Sequence, residues 1–438
     1  MLSPITTFFG SPFEMRNIHI KLEHIAYLVV ACIIPIGTVS PKALVLMLGV
    51  AVVTFLSLNR DVLIITLRRS RQYFAYFLPL LLIGLASSIW SLEFTLSLSL
   101  AMKLISLVAI GCVVIAAVWE LPSRIVDTLR RAIHLGVVLA GALLVFEVAT
   151  SGWLYRTFRG YAWEQVIFEP TGGINLDAPI KSGITVISIF VWCLFGNKRG
   201  GVVLAICVFV LVLVLAWKCG ATASLVALLL GLAAALMARL ALRSVLILVS
   251  ITFCLSVVAA PFAIHAALKN ITPSTINAQI GNSGLPLSGM NRLIIWKFTS
   301  QKILEKPLLG RGLRTSRVLP SGGEKYDIVR ARENGTLEVI SRDFFIPLHP
   351  HNQSLQIWLE LGALGAVSFA LAAGVLILMI GRLPIQRSQS GWLIGAIVTL
   401  MVYGQISFGA WQNWWIAGQF LSVGLLLITL SSHRGSEK

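Results

Sequence analysis

Long apolar runs recur along the chain, and their length matches the thickness of a lipid bilayer. A transmembrane helix needs roughly 20 mostly apolar residues. Of the 438 residues, 57% are hydrophobic and only 12% are charged, which excludes a soluble domain of this size. The runs predict an all-α polytopic membrane protein of about 12 transmembrane helices. The predicted spans are about 25–40, 42–58, 73–91, 94–119, 135–150, 183–197, 202–218, 223–238, 244–264, 357–381, 391–408 and 416–431.

The net charge of +17 lies in short basic clusters between the apolar runs. This distribution argues against a nucleic-acid partner and follows the positive-inside rule for short loops. Five basic connectors fall on one side of a twelve-span arrangement, together with both termini, so that side is expected to be cytoplasmic. These connectors carry Arg60, Arg68, Arg69, Arg71, Arg124, Arg130, Arg131, Lys198, Arg199, Arg239, Arg243, Arg382 and Arg387.

Two connectors on the opposite side are too long to be turns. We therefore expect three parts: spans one to nine with an external loop at 151–182 (1–264), a large external loop (265–352), and the last three spans (353–438). The large loop holds twelve Lys or Arg against six Asp or Glu. Long loops are translocated largely regardless of charge, so a basic external loop indicates an anionic ligand.

Within the large loop, the stretch SGMNRLIIWKFTSQKILEKPLLGRG predicts an amphipathic helix. Ser288 or Asn291 is the candidate N-cap, and Pro307 is expected to end the helix. Its Trp and Lys side chains suit the headgroup level of a membrane.

A second stretch, FIPLHPHNQSLQIWLELGALGAVSF, places histidines where the large loop returns to the membrane. Asn352 is a good N-cap for a helix that starts at Gln353, because Pro350 disfavours helix before it. His351 would then lie beside a helix N-terminus, where unpaired N–H groups favour an anion. Gly362 and Gly365 would let another helix approach closely.

Other interpretations of these residues stay open. His351 could simply hydrogen-bond the loop. A metal site would need more ligands than His349 and His351, and His265 is the only further histidine of the loop. The six cysteines contain no CxxC pair, so no zinc site is expected from them. Glu360, one turn into the tenth span, is expected to contact His351 or an arginine.

Two motifs resemble those of the O-antigen ligase and O-antigen polymerase superfamily. HNQSLQIWLELGALG fits a pattern of His, then Asn, Ser or Gln, nine residues, and Gly-x-x-Gly, which His351, Asn352, Gly362 and Gly365 fill. NRLIIWKFTSQKILEKPLLGRGL resembles an Arg-x-x-x-Trp segment followed by Pro-x-x-Gly-x-Gly. Its motif positions are Arg292, Trp296, Pro307, Gly310 and Gly312. The stretch HPHNQSLQIWLELG is most similar to the O-antigen ligases.

The resemblance implies an inverting, metal-independent glycosyltransferase of the GT-C type in the bacterial inner membrane, with its active site facing the periplasm and no cofactor. It implies an undecaprenyl-pyrophosphate-linked glycan as donor and a lipid A–core hydroxyl, or a glycan, as acceptor. His351 is expected to be the catalytic base and Arg292 a catalytic, pyrophosphate-binding arginine. Arg159, Lys181, Arg311 and Arg314 are further candidates for the pyrophosphate, and His349, Asn352 and Glu360 for support.

Two alternatives remain. A polymerase of the same superfamily would join repeat units of O-antigen or exopolysaccharide. A secondary transporter also fits twelve spans, but transporters mark their sites with broken helices near the membrane midplane. This chain instead concentrates its polar motifs in external loops.

Overall fold

The computed structural model describes residues 12–159, 177–196, 199–332 and 334–431. Most of these residues are helical, which agrees with the predicted helical fold class. The helices are α1 (Pro12–Val39), α2 (Leu44–Leu58), α3 (Leu63–Ala86), α4 (Phe94–Val118), α5 (Ser123–Ala149), α6 (Trp153–Arg159), α7 (Asp177–Phe190), α8 (Arg199–Lys218), α9 (Thr222–Ala267), α10 (Ile276–Ile280), α11 (Leu287–Glu305), α12 (Gln353–Met379), α13 (Arg387–Ile406) and α14 (Asn413–Leu430).

Ten helical segments of the described residues are long and apolar enough to cross a membrane. One of them, α9, has 46 residues in two helical segments that meet at a kink, and it contains both predicted spans 223–238 and 244–264. Its only non-helical residue is Ala241, between Arg239 and Arg243, where a connector was predicted. α13, which contains the predicted span 391–408, is not among the ten. The count of twelve therefore stays a prediction.

The chain forms two compact units. Of the described residues, the first contains those within 1–70, 110–221 and 417–438, and the second those within 71–109 and 222–416. In the first unit, α5 packs closely on α1, because a Cβ added at Gly136 would lie 2.8 Å from the carbonyl oxygen of Ala31. In the second unit, the Trp358 indole of α12 donates to the carbonyl of Val257 in α9 at 2.8 Å.

The large loop contains a β-hairpin that the all-helical prediction missed. Strands β1 (Lys325–Ala331) and β2 (Leu337–Phe344) pair antiparallel, with an irregularity after Ile328. Gly335, in the connecting turn, has a φ of +78°, which glycine adopts without strain. The buried side chains of the hairpin pack on α10 and α11, and this cluster contains Ile276, Met290, Ile294, Tyr326 and Ile328.

α11 corresponds to the predicted amphipathic helix and ends at Glu305, before Pro307, as expected. The predicted N-caps are wrong, because Pro286 occupies the cap position and both Ser288 and Asn291 lie inside the helix. The extended Pro286 lets the next residue begin the helix, which moves Ser288 into the first turn. Asn291 instead contacts the hairpin, since its Nδ2 donates to the Ser341 hydroxyl at 3.0 Å.

Candidate functional site

The two histidines lie in a turn that leads directly into α12. Asn352 caps this helix as predicted, because its Oδ1 accepts from the backbone N–H of Leu355 at 2.9 Å. The Nδ2 of Asn352 donates to the carbonyl of Gln405 at 2.8 Å. Both ends of this amide are therefore bonded, and the turn is fixed to the end of α13.

Two features of His351 stand out, its backbone conformation and the hydrogen bond of its ring. Its φ of +55° lies in the left-handed region that side chains rarely adopt. Its Nδ1 lies 3.0 Å from the carbonyl oxygen of Ser407. A carbonyl can only accept, so Nδ1 carries the proton and Nε2 is the basic nitrogen of the neutral ring.

Burial lowers the pKa of His351 below its ordinary value. The hydrogen bond to Ser407 and the charge of Asp343 oppose this shift, while the charge of Arg292 adds to it. The imidazole is therefore neutral at neutral pH, as a general base must be.

His349 is almost fully buried, with 6% of its surface exposed. Its Nδ1 accepts from the backbone N–H of His351 at 3.0 Å, and its Nε2 lies 2.8 Å from the side-chain amide of Gln412. The centroids of the two imidazole rings are 4.4 Å apart. Burial, followed by the charges of His351, Arg317 and Arg292, lowers the pKa of His349 to about 3.

α11 brings the Arg-x-x-x-Trp motif to the same turn. The Trp296 indole donates to the carbonyl of Pro350, between the two histidines, at 2.9 Å. Arg292 lies one helical turn earlier, and its charge lowers the pKa of both imidazoles. No ion pair of Arg292 is found within the described ranges. Burial lowers the pKa of Arg292, but a guanidinium stays protonated at neutral pH.

The Pro-x-x-Gly-x-Gly segment docks against a break in α12. Gly362 interrupts this helix with a φ of +63°, and a Cβ there would clash with the carbonyl of Leu308. The backbone N–H of Gly312 donates to the carbonyl of Glu360 at 2.8 Å, and that of Ala363 to the carbonyl of Pro307 at 2.8 Å. Helix packing at Gly362 was predicted. The structure corrects this, because the loop that follows α11, rather than a helix, packs on Gly362. This loop hydrogen-bonds to backbone groups that the break in α12 leaves free.

Glu360 is fully buried and holds the loop that follows this segment. Its carboxylate accepts from the backbone N–H of Arg314 at 2.6 Å, from the Ser316 hydroxyl at 2.5 Å and from the Trp411 indole at 2.8 Å. The expected contact with an arginine is therefore to the backbone of Arg314. The expected contact with His351 is not among the hydrogen bonds of Glu360, because its oxygens are occupied by this loop.

Three arginines follow one another at a spacing of three residues in this loop. Arg311 pairs with Glu305 and also donates to the carbonyl of Lys302 at 3.3 Å. Arg314 is half-buried with a φ of +71°, and its Nε has no hydrogen-bond partner among the residues that the structure describes. Arg317 is exposed, and its charge reaches His349. Arg317 was missed, although the regular spacing of RGLRTSR was a usable signal.

The segment between α13 and α14 was also missed. It supplies the Ser407 carbonyl, the Trp411 indole and the Gln412 amide to the site. These residues lie more than 50 positions from their partners and form no motif with them, so only the tertiary fold brings them together.

The remaining predicted residues belong to the first unit. Arg159 ends α6, and its side chain lies outside the described residues. Lys181 lies in the first turns of α7. The phosphate-binding roles of Arg159 and Lys181 stay predictions. Across the described ranges, no group of three or more His, Cys, Asp or Glu side chains is arranged to hold a metal ion.

Residues 184–370 match the family model described as O-antigen ligase, and this range includes both motifs. Relatives in the genus Rickettsia carry the name "Putative polysaccharide ligase". That of Rickettsia typhi is 27% identical over 292 residues, covering 66% of this chain and 64% of the relative. That of Rickettsia conorii is 27% identical over 296 residues with the same coverage, and that of Rickettsia bellii is 34% identical over 131 residues, 30% of this chain. These matches confirm the resemblance to the O-antigen ligase superfamily.

Proposed function

We propose, with the resemblance to the O-antigen ligase superfamily as the premise, that this chain is an O-antigen-ligase-like glycosyltransferase. It moves a glycan from undecaprenyl pyrophosphate to a hydroxyl of lipid A–core. The observation that carries this proposal is the orientation of His351. A neutral imidazole with its Nδ1 proton on the Ser407 carbonyl presents a basic Nε2 in a turn that Trp296 ties to the arginine-bearing helix.

In the proposed reaction, Nε2 of His351 takes the proton of the acceptor hydroxyl as its oxygen attacks the anomeric carbon. The bond between that carbon and the pyrophosphate oxygen breaks, and its electron pair leaves with the polyprenyl pyrophosphate. Attack from the face opposite the leaving group inverts the configuration. Pyrophosphate is a good leaving group, so no carboxylic acid is needed to protonate it.

The leaving group gains negative charge and needs cations beside it. Arg292 suits this role, because a guanidinium binds phosphate oxygens through two parallel hydrogen bonds. Arg314 and Arg317 approach from the loop that Glu360 fixes, and the N-terminus of α12 adds a partial positive charge. We leave Arg311 out of this clamp, because Glu305 already pairs with it. We propose that these arginines replace a divalent metal ion.

The protein would then reside in the bacterial inner membrane with residues 265–352 in the periplasm. This topology rests on the positive-inside rule. It can be tested by labelling single cysteines at the exposed positions Asp61 and Arg330, in a protein whose six native cysteines are replaced. In intact spheroplasts, an impermeant reagent should label position 330 but not position 61. Labelling of position 61 alone would refute the topology.

Product analysis distinguishes this function from a polymerase of the same superfamily. The purified protein receives polyprenyl-pyrophosphate-linked glycan together with lipid A–core. A ligase yields glycosylated lipid A–core. Donor molecules that grow longer while the core stays unmodified would overturn the proposed acceptor and indicate a polymerase.

A further inference from the structure

His351 adopts a backbone conformation that its own sequence does not favour. A non-glycine residue at a φ of +55° needs neighbouring groups that hold it there. Glycine would adopt this conformation freely but could not act as a base. The turn must therefore combine an imidazole with a glycine-like backbone, and other residues must stabilise that combination.

His349 supplies the hydrogen bond that closes this turn. Its Nδ1 accepts from the backbone N–H of His351, two residues further along the chain, at 3.0 Å. The side-chain oxygen of Asn or Asp closes an Asx turn with the same spacing. His349 therefore does with a ring nitrogen what an Asx side chain does with an oxygen.

The tautomer of His349 follows from this bond. Because Nδ1 accepts, the proton of the neutral ring is on Nε2, which faces the Gln412 amide at 2.8 Å. The Gln412 atom at this distance is the amide nitrogen, and the amide oxygen is buried without a hydrogen-bond partner among the described residues. Turning the amide over lets Oε1 accept from the Nε2 proton of His349 and gives the buried oxygen its partner. Burial keeps the pKa of His349 at about 3, so the acceptor nitrogen stays unprotonated at neutral pH.

One segment of the chain holds both histidines. Gln412 bonds to the ring of His349, and Ser407 bonds to the ring of His351. Gly409, between them, packs directly on His349, because a Cβ there would lie 2.8 Å from Cγ of the imidazole. The segment 407–412 thus fixes the ring of His351 directly. It fixes the backbone of His351 indirectly, through the ring of His349.

We propose that His349 is a positioning residue that holds His351 in its left-handed conformation through the bonded series Gln412, His349 and the His351 backbone N–H. In this role His349 accepts no proton from the substrate and binds no phosphate. The proposal rests on the proposed function of His351 as the base. It predicts that loss of the Nδ1 acceptor lowers kcat and leaves the KM for the donor nearly unchanged.

The test compares substitutions that keep or remove the acceptor at the Nδ1 position. Asn places its Oδ1 where His has Nδ1, whereas Ala removes the acceptor. We expect His349→Ala to lower kcat roughly 100-fold, the loss that a misplaced reacting group causes. His349→Asn should restore kcat to within about tenfold of the wild type, because the turn closes again. The donor KM should stay within about threefold of the wild type in both variants, because His349 itself binds no phosphate.

Gln412→Leu removes the outer bond while it keeps His349, and it should lower kcat less than His349→Ala does. This variant also keeps the proposal testable if His349→Ala does not fold. His265→Ala, which removes a histidine from the last turn of α9, outside this turn, is the matched control and should leave kcat unchanged. Melting temperature and size-exclusion behaviour establish that each variant is folded.

Equal losses in His349→Ala and His349→Asn would overturn the proposal, because the turn-closing acceptor would then not matter. Wild-type kcat in His349→Ala, with His351→Ala inactive, would also overturn it. Full activity in His351→Ala would instead refute the proposed function. The two failures are therefore distinguishable.

Discussion

The indole of Trp296 donates a hydrogen bond to the carbonyl oxygen of Pro350 at 2.9 Å, across 54 residues of sequence. Pro350 stands between the two histidines, and Trp296 is four residues after Arg292 on the same helix. Residues four apart lie on the same helix face. The bond therefore ties the arginine motif and the histidine motif into one site.

Trp296→Phe removes this hydrogen bond and leaves the Pro350 carbonyl without its partner, which costs about 1–3 kcal/mol if the group stays buried. We expect kcat to fall about tenfold or more, because the histidine turn shifts relative to Arg292. The measurement is steady-state kinetics on the purified variant, together with its melting temperature.

Trp358→Phe is the matched control. It removes an equivalent indole bond, to the Val257 carbonyl at 2.8 Å, away from the histidines. Both variants should lose comparable stability, but only Trp296→Phe should lose kcat. Equal kcat losses would mean that the Trp296 bond stabilises the unit without positioning the site.

The pH dependence of the reaction should reflect the lowered pKa of His351. The base must be neutral, so activity is lost as pH falls through the folded-state pKa, which burial and Arg292 hold below 6.5. The acidic midpoint of kcat/KM is therefore expected below pH 6.5. Asp343→Asn removes a charge that raises the pKa of His351, so it should move this midpoint to lower pH.

Asp327→Asn, on the other strand of the hairpin, is the control for this pH experiment, because the carboxylate of Asp327 pairs with Arg342. It should leave the acidic midpoint in place. An acidic midpoint of kcat/KM above pH 6.5 in the wild type would contradict its assignment to His351.

The docking of the loop at the break in α12 predicts that Gly362 tolerates no side chain. Gly362→Ala adds a Cβ at positive φ that clashes with the Leu308 carbonyl. We expect a loss of about 3 kcal/mol or more in unfolding free energy, from the left-handed conformation and the steric overlap together. Thermal unfolding in detergent measures this loss.

Gly335→Ala separates the two effects. Gly335 has a φ of +78° but has open space around its Cβ position. It should therefore cost only about 1–2 kcal/mol, the backbone contribution alone. A cost for Gly362→Ala no greater than that for Gly335→Ala would refute the tight docking of this loop.

The proposed phosphate clamp predicts a graded response to loss of arginines. Arg292→Ala should lower kcat/KM about 100-fold or more, as loss of one preorganised charge-stabilising donor typically does. Arg292→Lys should also be poor, because a point charge cannot replace a planar guanidinium. Arg317→Ala should lower kcat/KM only about tenfold, because its exposed guanidinium is more strongly screened by solvent.

Arg332→Ala removes one exposed positive charge from the hairpin of the same loop and serves as the control. Kinetics with the lipid-linked donor should show little change for it. A loss as large as that of Arg317→Ala would mean that the loop attracts the donor through its overall charge rather than through a specific clamp.

The sequence predicted the features whose causes are local. The N-cap of α12 follows from Asn352 and its neighbours, and the structure has the predicted bond to Leu355. The apolar runs likewise specify helices. The hairpin also had a local signal, Asn334-Gly335 between β-branched stretches, which the all-α fold class did not take into account.

The parts that sequence could not predict depend on distant contacts. Ser407 acts through its backbone carbonyl, which any residue possesses, so its identity carries no signal. Glu360 looked like a partner for His351, but the loop docked at Gly362 brings the backbone of Arg314 to it first. The capping role offered to Ser288 failed because Pro286 starts the helix earlier.

The most direct test is the initial rate of glycan transfer by the purified protein in EDTA, for the wild type and for His351→Ala. The assay supplies polyprenyl-pyrophosphate-linked glycan and lipid A–core without nucleotide. We expect full activity of the wild type in EDTA and a rate at least about 100-fold lower for a folded His351→Ala, the usual contribution of a positioned base. A near-wild-type rate for His351→Ala, or a strict requirement for Mg²⁺ or Mn²⁺, would contradict metal-independent transfer by this histidine.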